Sequence, residues 1–222
     1  MIIISLGGSL IYPDPIDTDF IIEFKKLIES YLHKEKFVII CGGGKLCRNF
    51  NEALSKIRKA ENDEKDWMGI AATNLNAHLI KSSFDKKEVY EPVISDPTKK
   101  IVTDKKIIVC SGWKPGCSTD NDAVLLAKNL GVKKIINMSN IEYVYDSDPK
   151  KNSNAKPIEK MSWKTLIELV GDKWIPGLNM PFDPIAAKES QKQGFQVYII
   201  GKDLKNLKNL LDGKKFKGTL VS

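Results

Sequence analysis

Three consecutive glycines, Gly42 to Gly44, follow the apolar run Phe37-Val38-Ile39-Ile40-Cys41 and lead into Lys45 and Arg48. A β-branched run of this kind suits a strand buried on both faces. Glycines place no Cβ between the main chain and a ligand, and bare N–H groups opening a helix attract anions. Lys45 and Arg48 add full positive charge there. The chemistry this permits is phosphate binding at a strand-to-helix turn. Taken alone, the stretch reads equally as a tight turn with solvated cations. A second glycine turn, Gly7-Gly8-Ser9, closes the run Ile2 to Leu6. Ser111 to Gly116 and Ser139-Asn140 follow two further apolar runs, Ile107 to Cys110 and Lys134 to Met138. Neither standard nucleotide motif applies. A Walker A loop ending at Gly44-Lys45 needs glycine where Ile39 stands, and Leu46 follows the lysine. Gly7-Gly8-Ser9 lacks the later glycine of the dinucleotide fingerprint.

The segments between these turns read as helices. Phe20 to Leu32 has helical spacing behind the caps Asp17, Thr18 and Asp19, and residues 45–59 read as helix. Residues 64–84 carry Ile70, Ala71, Leu75, Ala77, Leu79 and Ile80, which predicts a broad apolar face against a sheet. Residues 85–105 read as an irregular excursion, a small hairpin or lid. A helix with an acidic start begins near Thr119, and Tyr143 to Tyr145 suits a short strand before a lysine-rich loop to Lys160. Ser162 caps a helix over 163–170, residues 171–182 form a loop, and Asp183-Pro184 opens another helix. Phe195 to Ile200 is the last central strand, 203–211 is helical, and Thr219 to Val221 adds an edge strand. Alternating β and α with strands this apolar predicts a mostly parallel sheet with helices on both faces. Ligands of such sheets lie beyond the carboxyl ends of the strands, where all four turns fall. Several phosphate-compatible turns on one rim suggest a nucleotide, or two phosphates meeting.

The chain has 222 residues, 42% hydrophobic and 28% charged, enough for one α/β domain over residues 1–222 and too apolar for a disordered chain. No run is long enough to span a membrane, and Met1 to Leu6 enters a strand pattern without the features of a signal peptide, so a cytoplasmic location is expected. The formal charge of +7 favours anionic partners. The lysines are not interleaved with aromatics, so they do not point to nucleic acid. Cys41, Cys47, Cys110 and Cys117 form no C-x-x-C pair, and no metal site is indicated among protein side chains. The only histidines, His33 and His78, sit in helical stretches, so chemistry relying on a histidine base is not expected.

Taken together, the turns resemble the amino acid kinase family along nearly the whole chain. The matching pieces are Ile4 to Leu10, Gly42 to Arg48, Asp66 to Ile70, Leu75 to Ala77, Pro115 to Asp120, Ser139 to Ile141 with Val144 to Pro149, and Asp183 to Lys188. Their order and spacing are most similar to the archaeal-type uridylate (UMP) kinase branch. The resemblance implies an α/β fold, a three-layer αβα sandwich, and transfer of the ATP γ-phosphoryl group to UMP with Mg²⁺. It also implies a homo-oligomer, typically a hexamer. By the same resemblance Gly8, Ser9, Gly44 and Arg48 meet the ATP phosphates, and Ser139, Asn140, Tyr145 and Asp148 hold its nucleoside end. Gly43, Asp66 and the loop Trp113, Lys114, Pro115, Gly116, Cys117, Ser118, Thr119 hold UMP. Asp66 suits a ribose diol, since a carboxylate accepts two hydrogen bonds. Lys45, Arg48 and Asp120 are the catalytic candidates, Asp120 orienting a lysine or the metal or else capping its helix.

The chain departs from the family pattern at several places. Ser5 stands where many members carry a lysine, which leaves Lys45, Lys114 or Lys150 to supply charge to the donor phosphates. Asn74 replaces a frequent arginine, Glu142-Tyr143 replaces Asp-Gly, and Trp174 to Phe182 is a bulkier loop. The competing readings are a non-catalytic nucleotide or anion sensor or storage protein on the same fold, and a related small-molecule kinase of the family. An RNA-binding module is a weaker third.

Overall fold

The computed structural model describes residues 1–149, 151–152, 154–171 and 180–222. Along the chain it builds β1 (Ile2–Leu6), α1 (Gly8–Ile11), α2 (Thr18–Tyr31), β2 (Phe37–Cys41), α3 (Gly44–Ile57) and α4 (Asn62–Ser83). Then come β3 (Ile107–Cys110), α5 (Thr119–Leu130), β4 (Lys134–Met138), β5 (Val144–Tyr145), β6 (Pro157–Ile158) and β7 (Lys160–Met161). The last elements are α6 (Trp163–Val170), α7 (Pro184–Gln193), β8 (Gln196–Ile200), α8 (Leu204–Leu211) and β9 (Thr219–Val221).

Alternation along the strands decides the layers. On one face Ile3, Val38, Ile40, Ile108, Ile135 and Val197 pack with Val124 and Leu126 of α5, Leu166 of α6 and Ala187 of α7. On the other, Ile4, Phe37, Ile39, Val109, Ile136 and Ile200 pack with Phe24 and Ile28 of α2, Ile80 of α4 and Leu207 of α8. A strand apolar on both faces needs a helix layer on each, and the αβα sandwich follows. Among the described residues the main sheet has seven strands in the order β3-β2-β1-β4-β8-β9-β7. All pairs are parallel except β8 with β9. The chain goes from β1 outward through β2 to β3, then returns to the far side of β1 as β4. That reversal opens a crevice at the carboxyl ends of β1, β2 and β4. None of the described helices is long and apolar enough to cross a membrane.

The structure corrects four expectations. Thr219–Val221 is not an edge strand but lies between β8 and β7, with the 157–161 stretch, read as loop, supplying β6 and β7. Residues 85–105 make neither hairpin nor lid. Val89 and Ile94 bridge in parallel to Ile107 and Cys110, covering the outer edge of β3 and its unpaired backbone groups. The sheet-facing side of α4 is Ala72, Thr73, Asn76, Ala77 and Ile80, whereas Leu75 and Leu79 are exposed. Asp120 does not cap α5; the Ser118 hydroxyl does, accepting the Asn121 N–H at 3.2 Å. The loop over 171–182, with Trp174, falls largely outside the described residues.

Candidate active site

The two glycine turns touch. A Cβ on Gly8 would fall on the backbone of Gly42 and Gly44, and one on Gly44, at φ +64°, would fall on Gly8. Glycine is needed at both positions for contact between the turns as well as for access by a ligand. Ladder hydrogen bonds continue past the strands to hold them, Gly7 N–H to Met138 O at 2.8 Å and Gly42 N–H to Leu6 O at 2.9 Å. Asn76, buried in α4, donates Nδ2–H to Gly42 O at 2.8 Å and to Gly43 O at 3.3 Å. The amides opening α3 are thereby aimed at the crevice, a ready anion site.

A cleft of about 530 Å³ fills the crevice. Its wall includes Gly8, Ser9, Gly43, Gly44, Arg48, Thr119, Asp120, Ser139, Asn140, Tyr145 and Asp148, so these predicted site residues share one space. Among the described residues Arg48 is the only cationic side chain on that wall. Lys45 is not on it; its N–H bonds Tyr12 O at 3.1 Å. Lys114 is not on it either and lies over the Trp113 ring, Nζ 3.9 Å from the centroid. Lys150 is outside the described residues. Short β5, paired with β6, carries Tyr145 to the wall, and Leu169 and Val170 of α6 add an apolar side.

The cleft also contains Asn137, which sequence reasoning did not place there, and Ser5 and Tyr143, which it noted only as departures from the family pattern. Ser5 and Asn137 are in register across β1 and β4. Both donate to Asp120 Oδ1, Ser5 Oγ from 3.2 Å and Asn137 Nδ2 from 2.7 Å. Burial pushes the Asp120 carboxyl up to about 6, helped by nearby Asp183 and opposed by these donors. The available signal was a polar residue interrupting an apolar strand, present in both β1 and β4.

The remaining predicted residues, Asp66, Trp113, Lys114, Pro115, Gly116, Cys117 and Ser118, do not line this cleft. They form an adjoining cluster on the same rim, since β3 runs parallel to β2. Asp66 Oδ2 accepts the Gly116 N–H at 2.8 Å, joining α4 to the tip of the 113–117 loop. Burial raises the Asp66 carboxyl, the Gly116 hydrogen bond lowers it, and Asp63 adds a further rise. Gly112 N–H donates to Thr73 Oγ1 at 2.8 Å, which fixes the start of the loop. The cysteines are free among the described residues, with Cys41 and Cys110 buried as expected.

The arrangement offers a cleft with glycine amides and one arginine, and next to it a second anchored loop. The amino acid kinase family matches residues 1–201. The chain is 35% identical to a uridylate kinase of Pyrococcus abyssi, over 99% of this chain and 98% of that protein. It is 33% identical to a uridylate kinase of Thermoplasma volcanium, over 96% and 93%. The crystal structure of uridylate kinase from Archaeoglobus fulgidus superposes with a TM-score of 0.85 at 30% identity, covering 100% of this chain and 99% of that one. UMP kinase from Bacillus anthracis shares the fold, with a TM-score of 0.76 at 19% identity over 100% and 95%. A match that begins in the first strand and runs to the end of β8, on a shared fold, has one reading: this chain belongs to the amino acid kinase family.

Proposed function

We propose that the protein, acting as one domain over residues 1–222, transfers the γ-phosphoryl group of ATP to UMP, giving ADP and UDP. The observation that carries the reading is the meeting of both glycine turns, Arg48 and Ser139-Asn140 on one cleft beside the Asp66-anchored loop. Gly8, Ser9, Gly44 and Arg48 would take the ATP phosphates, and Ser139, Asn140, Tyr145 and Asp148 the nucleoside end. Gly43, Asp66 and residues 113–119 would take UMP. The acceptor phosphate is already an anion, so no base is required, and neither histidine lines the cleft. Catalysis is then alignment plus neutralisation of charge at the transferring group. The turn amides and Arg48 supply fixed positive charge where it is needed. Lys45, off the wall, contributes only to the surrounding field.

Mg²⁺ would enter with ATP. Among the described residues no group of three or more His, Cys, Asp or Glu is arranged to hold a metal ion. The donor set on the cleft wall instead fits one carboxylate, Asp120, added to the donor's own phosphate oxygens, a usual arrangement for Mg²⁺. When bound, the ion offsets the negative charge of the phosphoryl oxygens. Ser5 and Asn137, both donating to Oδ1, would fix the Asp120 carboxylate for that role. The reading implies a cytoplasmic location, where ATP and UMP are held, and a homo-oligomer assembled through the exposed apolar side chains of α3 and α4.

The test is ADP release with Mg-ATP against UMP, CMP, AMP, isopentenyl phosphate and acetylglutamate. Saturable turnover with UMP alone is expected. Binding of ATP and UMP without turnover would favour a sensor. In the same assay Arg48→Ala should lower turnover at least about tenfold, through loss of a charge-assisted phosphate contact. Near-normal kinetics in that variant remove Arg48 from the site.

A further inference from the structure

Asp122 does not line the cleft, yet it is 1% exposed and both its carboxylate oxygens are engaged. It lies in the first turn of α5, where a helical side chain leans back toward the segment before the helix. That lean brings it to the 113–117 loop. Oδ2 accepts the Trp113 N–H at 3.2 Å, and Oδ1 accepts the Cys117 S–H at 3.0 Å. Asn121 Nδ2 donates to the same sulfur at 3.2 Å. Since Ser118 already caps α5, the Asp122 contacts are not needed for the helix. They tie both feet of the loop to α5, leaving Lys114, Pro115 and Gly116 as the span between. The tip of that span is held by Asp66 through Gly116 N–H.

A buried carboxylate is a costly way to fill space. It is stabilising only while its hydrogen bonds are made, and an apolar side chain of similar size would serve packing as well or better. What the carboxylate adds is direction, two acceptors that fix two separated points of one loop.

We propose that Asp122 is a positioning residue for the acceptor nucleotide, holding the 113–117 loop at the spacing from Asp66 that UMP requires. The inference rests on the UMP kinase reading above. It acts through the loop, so it predicts a loss confined to one substrate. Calorimetric titration should show Asp122→Ala weakening UMP binding about tenfold, the scale of a lost charge-assisted contact, with ATP binding within about twofold. Asp122→Asn keeps an acceptor for Trp113 and a donor for the Cys117 sulfur, and should recover most of the affinity. Cys117→Ala removes one tether and leaves the buried charge on the other. It should weaken UMP binding about threefold, again without effect on ATP, whereas Cys117→Ser, which keeps a donor for Asp122 Oδ1, should recover it; the contrast between the two decides the matter if Asp122→Ala does not fold. Unchanged UMP affinity in Cys117→Ala, or equal losses for UMP and ATP in a folded Asp122→Ala, overturns the inference. Wild-type protein that neither binds nor phosphorylates UMP would instead remove the functional reading beneath it.

Discussion

Ser5 and Asn137 show what single residues disclose and what they hide. Each is a polar interruption in an apolar strand, visible in the sequence. Their pairing across β1 and β4 is not, because β1 and β4 become neighbours only through the order of the sheet. Once paired, they define the place of Asp120, which the sequence left between helix cap and catalytic group. The question raised by Ser5, which lysine supplies the missing charge, receives a partial answer. Lys45 and Lys114 are off the cleft wall, and Arg48 is on it. Asp122 was likewise readable only as part of an acidic helix start, since its partners Trp113 and Cys117 are set by the path of the loop. Its raised carboxyl makes a testable claim about stability. Asp122 is held up by burial, by Asp120 and by Asp183, while Cys117 and Trp113 pull it down. The folded protein therefore binds this proton more tightly than the unfolded chain, whose aspartate titrates near its ordinary value of 3.8. The stability it contributes is full below that value and is lost as pH rises through about 7. Asp122→Asn cannot titrate. Its urea midpoint, compared with wild type at pH 4.5, 6 and 7.5, should move relatively upward with pH. A constant difference would mean that the carboxyl titrates normally.

Helices and central strands were legible because their periodicity is local, and the caps Asp17, Ser162 and Asp183 fall where the sequence places them. Order and facing were less legible. A strand as short as Thr219–Val221 carries no mark of whether it lies inside a sheet or at its edge. In α4 the apolar residues exceed what the sheet can cover, so composition could not say which ones it buries. The glycine turns are visible in the sequence but only half explained by it. Ligand access accounts for the lack of Cβ on sequence grounds, whereas contact between the turns is visible only once β1 and β2 are side by side. This separates two kinds of glycine. Gly131 ends α5 at φ +68°, and a Cβ there would meet nothing within 4 Å, so Gly131→Ala should cost about 1 kcal/mol, for backbone conformation alone. Gly8→Ala forces backbone against backbone, and overpacking of that kind costs about 2 kcal/mol or more. Urea unfolding of the two variants should rank them in that order, and only Gly8→Ala should also abolish turnover. Equal destabilisation, or an active Gly8→Ala protein, would show that the turns do not need their contact.

At the scale of the molecule, α3 and α4 leave several large apolar side chains uncovered. In α3, Leu46, Phe50, Leu54 and Ile57 recur at helical spacing, yet the helix buries no residue. Phe50 is 57% exposed and Ile57 80%, and on the adjoining α4 Trp67 and Leu75 are 55% and 62% exposed. Single exposed apolar residues are ordinary, but two neighbouring helices carrying several large ones make a surface suited to a partner. The net charge of +7 opposes indiscriminate clustering, so association has to be won by a specific apolar contact. A second copy of this chain would meet that need symmetrically, as in most homo-oligomers, which is the assembly proposed above. The consequence reaches the site, because α3 carries Phe50 on this surface and Arg48 on the cleft wall. Light scattering should therefore give a mass of two or more times 24.9 kDa. The double variant Phe50→Glu, Leu75→Glu should return the mass of one chain with its far-UV circular dichroism unchanged, and its KM for ATP should rise. A wild-type protein that stays monomeric at millimolar concentration would leave the apolar side of α3 and α4 without its proposed partner. A dissociated variant with unaltered KM would uncouple assembly from the position of Arg48.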